Sequence, residues 1–202
     1  MPTNSDKPVP KQARSKETYE KILAASQELL TESGIEGFNS NAIVERAGMT
    51  PPAFYRWFPN KYAILEELAS RFMHAQNVVT QQHLKAFDMG NTTIAETIRR
   101  SLDESVEVSA SFVGSHAIMV CMRAIPSLSD IRLKSHEAIT NALATRMVEV
   151  GLAPSKEAVE TRCRLVVELG YAAIELVFET SLENRKEVVE RTTAACTAAL
   201  GL

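Results

Sequence analysis

Residues 39–61 read NSNAIVERAGMTPPAFYRWFPNK, two short helix signals either side of a turn. Asn39 is a good N-cap, because its side-chain oxygen can accept a free N–H of the first helical turn. Ala42, Ile43 and Ala47 give the helix that follows a small apolar face. Gly48 ends it, since glycine takes the left-handed conformation common at helix C-termini. Thr50 can cap a second helix, and Pro51 falls at its first position, where a missing N–H costs nothing. Phe54 with Trp57 or Phe58 points inward at helical spacing, while Tyr55 and Arg56 point out. This is helix-turn-helix grammar, in which the second helix can enter a DNA major groove.

The same residues carry a resemblance. Ile43-Val44, Ala47-Gly48-Met49-Thr50, Phe54-Tyr55, Phe58, Asn60-Lys61 and Ile64-Leu65 resemble the signature of TetR-type (tetracycline-repressor-like) regulators, and so does the spacing from Gly34 to Ile43. The resemblance is specific over about residues 14–68 and fades beyond them into a general pattern of helices. It implies an all-α chain. A three-helix DNA-binding domain with the helix-turn-helix would come first, followed by a larger helical domain for ligand binding and dimerisation. The family usually has Gly where this chain has Pro52. Two prolines therefore open the reading helix, and no backbone N–H is available there for phosphate.

Upstream, Tyr19, Ile22, Leu23, Ser26, Leu29 and Leu30 recur at three- and four-residue intervals, so a first helix over 15–33 turns one stripe to a core, with Gly34 as its stop. Residues 1–13 are polar and basic with two X-Pro steps, and are expected to form a flexible arm. Residues 14–60 would be the helix-turn-helix domain and 61–202 the body. A long fourth helix is expected from Asn60 or Lys61 to about Phe87. Its apolar residues, Ile64, Leu65, Leu68 and Phe72, then Val78, Val79 and Leu84, suit packing on two domains in turn. Thr93 with Glu96 reads as a capping box. Further helices are expected from Ser115 to Ala124, from Ser127 or Ser129 to Val150, from Pro154-Ser155 to Thr180, and from Asn184, boxed with Glu187, to Leu200. Alternating strand patterns are absent.

The net charge of −3 argues against a generic polyanion binder, but Lys7, Lys11, Arg14, Lys16 and Lys21 crowd the start of the chain. A basic end on an acidic body suits a protein that meets DNA with one part only. The 202 residues contain no apolar run of about 18, so no membrane partner is expected. The start has no apolar signal-peptide core, and the three cysteines Cys121, Cys163 and Cys196 are scattered, which together suggest a reducing cytoplasm. Nucleophile motifs, phosphate loops and metal-ligand spacings are lacking, so neither catalysis nor a cofactor is expected.

Thr50, Pro51, Pro52, Ala53 and Arg56 are the candidates for facing bases; Arg56 alone has a fork for guanine. Arg14, Asn39, Tyr55 and Lys61 are the other DNA candidates, and the resemblance implies that Tyr55, Lys61 and Thr50 meet the phosphate backbone. It also implies a ligand site among the middle helices, for which Phe72, Phe112, His116, Met119, Met122, Tyr171, Glu175 and Phe178 are the candidate walls. Residues 155–200, rich in Ala, Val and Leu, are expected to pair two chains. The expectation is a homodimeric regulator, a repressor, that binds a palindromic double-stranded operator and is released by a small effector. The alternative is a helical binding or adaptor protein whose helix-turn-helix no longer reads DNA.

Overall fold

The computed structural model describes residues 13–88, 90–180 and 182–202, without the side chains of residues 13, 14 and 182. The expected arm and the Arg14 side chain thus lie outside the described residues. Nine α-helices and one 3-10 turn, Leu182–Asn184, make up the regular structure among them: α1 Ala13–Gly37, α2 Ser40–Arg46, α3 Pro51–Tyr55, α4 Lys61–Ala86, α5 Ile94–Ser111, α6 Ser115–Ala124, α7 Pro126–Glu149, α8 Glu160–Thr180 and α9 Arg185–Leu200. The all-α expectation holds.

The chain divides into two compact units. The first, the head, comprises residues 1–70 and 113–128; the second, the body, comprises 71–112 and 129–202. Sequence reasoning put 113–128 in the body. The difference has a local cause. Gly114, at φ 80, stands where an added Cβ would lie 3.4 Å from the Gln27 carbonyl oxygen, and Gln27 Nε2 donates to the Val113 carbonyl at 2.9 Å. These contacts draw the start of α6 onto α1.

The head buries Ile22, Leu23, Leu30, Phe38, Ile43, Phe54, Phe58, Ile64, Leu65 and Leu68 almost completely. Tyr19 stacks on Phe58 at 4.9 Å and meets Trp57 edge-on, so Trp57 belongs to the core. α1 loses helical geometry at Gly34, φ 60, where the stop was expected, although helical bonding resumes to Gly37. Asn39 Oδ1 accepts from Ala42 N–H at 3.0 Å, as a cap should. α2 closes in a Schellman turn: Met49 N–H reaches the Val44 carbonyl and Gly48 N–H the Glu45 carbonyl, with Gly48 at φ 58. Arg46 then ties α2 to α1 through two bonds to Glu32, of 2.6 and 2.5 Å.

In the body, Phe87, Ile94, Leu143, Met147, Val159, Cys163, Cys196 and Leu200 form one apolar core. Arg185 at the start of α9 reaches Asp103 and Glu107 of α5. Arg99 bridges Glu96 and Asp103 on the same helix, and its hydrogen bond, followed by that of Arg100, pulls the Glu96 carboxyl down to about 2.

Four local expectations are corrected. Thr50 makes no side-chain cap bond: Pro52 removes the N–H of the second helical position, and the Ala53 N–H of the third goes to the Thr50 carbonyl instead. α7 begins at Pro126 itself, a position that tolerates proline. α8 begins at Glu160 instead of near Ser155, since Val159 N–H bonds the Lys156 carbonyl in a tight turn that precedes the helix. The Asn184–Glu187 box does not form: Asn184 is already helical, φ −81 and ψ −3, as the end of the 3-10 turn, and its side chain caps nothing.

At Gly48 an added Cβ would meet only the Lys21 ammonium, 3.9 Å away, so the left-handed backbone alone sets the cost of a side chain. Gly48→Ala should lower stability by about 1–2 kcal/mol, read as a lower urea midpoint with the helical signal of the folded state intact. An unchanged midpoint would mean that the turn relaxes freely.

Candidate nucleic-acid interface and interior cavity

The outward face of the helix-turn-helix is built by burial on its other side. Phe54 and Phe58 are fully inside, which turns Tyr55 outward at 50% exposure. Tyr55 rests edge-on against Phe54 at 5.1 Å, and the Arg56 guanidinium lies 5.6 Å from the Trp57 ring centre. Thr50, Pro51, Pro52 and Arg56 are exposed and Ala53 is half-buried, so each of the five candidates for base contact reaches solvent. The Lys21 ammonium adds positive charge beside the Gly48 turn.

Asn39 and Lys61 are committed differently. Asn39 uses its oxygen on Ala42 N–H and its amide on the Gly37 carbonyl. Lys61 Nζ donates to the Phe38 carbonyl at 3.0 Å, tying the start of α4 to the end of the first helical segment and leaving two donors on the ammonium. Asn60 accepts from Tyr62 and Ala63 N–H and caps α4.

The body holds a half-open cavity of about 110 Å³. α4 contributes Met73, Gln76, Asn77, Thr80, His83 and Leu84; α5 contributes Ile94, Thr97, Ile98, Ser101, Leu102 and Ser105. His136, Ile139 and Leu143 come from α7, Val166, Val167, Gly170, Tyr171 and Ile174 from α8, and Cys196 from α9. Of the eight candidate wall residues only Tyr171 is in this lining. Phe72 and Phe112 pair with each other at 5.3 Å. Glu175 and Phe178 are half-buried on α8 and face elsewhere. His116, Met119 and Met122 lie on α6, which counts with the head: both methionines are core there and His116 is exposed.

The polar residues of the cavity went unnoticed in the sequence. One signal was available: Thr97, Ser101, Ser105 and Ser109 recur every fourth residue on α5, too regular for a simple apolar stripe. Their donors are mostly spent within the wall. Thr97 Oγ1 donates to the Thr93 carbonyl, Ser101 Oγ to Thr80 Oγ1, and Thr80 Oγ1 to the Gln76 carbonyl. Gln76 Nε2 donates to Ser109 Oγ.

His136 is 2% exposed. Its Nδ1 is 3.0 Å from Glu168 Oε1, and its Nε2 is buried with no partner. Burial lowers the imidazole below its ordinary range, and Arg132 and Arg164 push the same way against Glu168. Burial raises the Glu168 carboxyl, but its bonds to His136 and Arg164 outweigh that and hold it low, so an ionised carboxylate accepts the Nδ1 proton. Cys196 is in the wall as well, yet burial pushes its thiol up to about 11, as it does for Cys163, and leaves a poor nucleophile. Groups of three or more His, Cys, Asp or Glu able to hold a metal are absent among the described residues.

The head thus carries a helix-turn-helix with an exposed second helix, and the body holds a cavity. Residues 22–68 match the family of bacterial regulatory proteins, tetR family. The match lies within the amino-terminal unit. The tetracycline repressor protein class A from transposon 1721 of Escherichia coli is 32% identical over 85 residues, which are 40% of this chain and 38% of that one. The curated relatives are matched over only 25–38% of their own length. Solved structures extend the likeness to the whole fold. Salmonella enterica GusR superposes with a TM-score of 0.70 at 17% identity, covering 96% of this chain and 100% of that one. A complex of SmeT with triclosan gives 0.63 at 18%, covering 89% and 90%.

The His136 geometry has a consequence for stability. An unfolded chain takes up a proton at this histidine below about 6.5, and the folded chain resists it until lower pH. This contribution is complete above that value and is lost as pH falls toward the folded pKa. Wild type should therefore lose more thermal stability than His136→Leu between about pH 7.5 and 5.5. Equal losses would show that burial does not hold this imidazole neutral.

Proposed function

We propose that the protein is a DNA-binding transcriptional regulator of the repressor kind, acting as a homodimer on a palindromic operator and released by a small molecule held in the body's cavity. The observation that carries the DNA part is the exposed surface of α3, where Tyr55 and Arg56 stand out beside Pro51 and Pro52 while Phe54 anchors the helix inside. Arg56 is assigned to base edges, where its fork suits guanine. Pro51, Pro52 and Ala53 are assigned to apolar contacts such as thymine methyls. Tyr55, Thr50 and Lys61 are assigned to phosphate, with Lys21 nearby, and Arg14 and the basic arm to the flanking backbone. The free Thr50 hydroxyl, with no cap bond to make, supports its part. Asn39 is kept as a weaker candidate, since both ends of its amide are already used.

Dimerisation is supported by an apolar stripe on α8. Leu165 and Leu176 are 49% and 44% exposed, with Ala172 exposed on the same face between them. Ala194, Ala195 and Ala198 are exposed on α9, small enough for close helix approach. One head offers few base contacts, and two on a two-fold axis read half-sites one helical turn apart, about 34–36 Å.

Release follows from linkage. Effector and operator would favour different separations of the two heads, so each weakens the other by the same factor. A 10- to 100-fold effect takes about 1.4–2.8 kcal/mol. α4, Lys61–Ala86, runs through the boundary between head and body at residue 70 and is the continuous element that would carry the change. The tetracycline repressor and the SmeT–triclosan complex among the relatives support a repressor with a small-molecule site.

The test is fluorescence anisotropy with DNA from upstream of the protein's own gene, at two salt concentrations, with scrambled competitor. Sequence-selective binding that weakens with salt is expected, with two chains per site. Arg56→Ala should lose about 5- to 150-fold and relax the preference at one base pair, while Tyr55→Phe should weaken all sequences alike. Leu165→Glu with Leu176→Glu should yield folded monomers that bind DNA far more weakly. Equal affinity for scrambled DNA, there and in selection from random sequences, would instead favour an adaptor with a head that does not read sequence.

A further inference from the structure

Resting on the reading of the body's cavity as the effector site, we infer that its ligand is a compact, uncharged, largely apolar ring compound carrying one hydrogen-bond donor, a phenol-type hydroxyl in the simplest case, which donates to His136 Nε2. The donor–acceptor accounting leads there. Glu168 is a carboxylate gripped by Arg164 at 2.5 Å, with Arg132 at 3.7 Å, so toward His136 it can only accept. The proton of the neutral ring therefore sits on Nδ1, and Nε2 carries a bare lone pair. That nitrogen is buried, without a partner, on a residue that lines the cavity. A buried acceptor left unpaired is costly, and a ligand donor is the group that relieves the cost.

Three further hydroxyls in the wall have the same sign. Thr80, Thr97 and Ser101 give their protons to other protein oxygens, so what they still offer a guest is oxygen lone pairs. His83, the cavity's second histidine, directs Nε2 to Glu104 at 2.7 Å and also has a carboxylate as its fixed partner. A ligand carboxylate would bring more lone pairs to this surface, and the arginines nearest to it, Arg132 and Arg164, are not in the lining. Leu84, Ile98, Leu102, Ile139, Leu143 and Ile174 supply the apolar wall. The volume, about 110 Å³, suits one or two fused rings.

The test uses three bicyclic probes of nearly equal shape: 2-naphthol, 2-methoxynaphthalene and 2-naphthoate. Binding to the full chain is measured by calorimetry at neutral pH. 2-Naphthol should bind at least tenfold more tightly than its methyl ether, a difference of about 1.4 kcal/mol, and 2-naphthoate should bind no better than the ether. In His136→Leu, checked for folding by circular dichroism, the gap between naphthol and ether should close. With nitrogen-labelled histidine, the Nε2 resonance of wild type should sit in the unprotonated range and move on adding 2-naphthol but not the ether. Equal binding of naphthol and ether by wild type, tighter binding of the naphthoate, or no binding of any probe overturns the assignment, and these need no variant to fold. The operator titration on the same samples separates the two readings. Intact DNA selectivity without the naphthol preference defeats this inference and leaves the regulator standing. The naphthol preference without selective DNA binding does the reverse.

Discussion

Each helix ends with backbone groups that have no partner inside the helix, and the way the head pairs them shapes everything built on it. At the end of α2 the Schellman turn at Gly48 uses two N–H groups to close two carbonyls and reverses the chain within three residues. Only a left-handed residue permits this. Thr50 and the two prolines can then start α3 at once, without a side-chain cap, because the prolines have no N–H to satisfy. The short helix has too few residues to hold itself, and Phe54 and Phe58 hold it by burial. The exposure of Pro51, Pro52, Tyr55 and Arg56 follows from that anchoring. At the far end, the Lys61 ammonium on the Phe38 carbonyl and the Asn60 cap pin the first turn of α4 to the same small core.

The body solves a different problem. It keeps polar groups inside an apolar shell and pays for most of them with one another. Gln76, Ser109 and Ser105 form a closed chain of bonds between α4 and α5. Arg185, Asp103 and Glu107 join α9 to α5 nearer the surface. Glu168 alone serves His136 from one side and Arg132 and Arg164 from the other. Its charge stays on because the bonds from His136 and Arg164 outweigh burial, and that in turn fixes which nitrogen of His136 bears the proton. The unsatisfied Nε2 is the remainder of this accounting. Where Thr80, Thr97 and Ser101 have given up their protons the wall favours a guest that can donate, and its apolar walls discriminate by shape.

The head was far more legible in the sequence than the cavity. Asn39, Gly48, Pro51 and the Tyr55–Arg56 pair could be read because each acts on atoms within about four residues. The same method failed at Asn184, where a 3-10 turn left the side chain nothing to cap, and at Ser155, which accepts the Ala158 N–H in a tight turn ahead of the helix instead of capping it. It also misjudged α6. Met119, Met122 and His116 have the composition of a binding wall, but Gly114 and Gln27 dock their helix on α1, within the head.

The sequence by itself determined that the chain is helical, where most of its helices stop, and that it carries a helix-turn-helix with a solvent-facing tyrosine and arginine. Periodicity, capping and glycine stereochemistry are local, and residue order is enough to specify them. Tertiary structure alone decided which polar groups meet. His136 and Glu168 are 32 residues apart, Arg185 and Asp103 are 82, and Gln76 and Ser109 are 33. Those meetings depend on how each helix is rotated about its axis and how deep it packs, which the summed burial of many side chains sets. An unpaired nitrogen buried on a residue of a cavity wall exists only once that packing is complete.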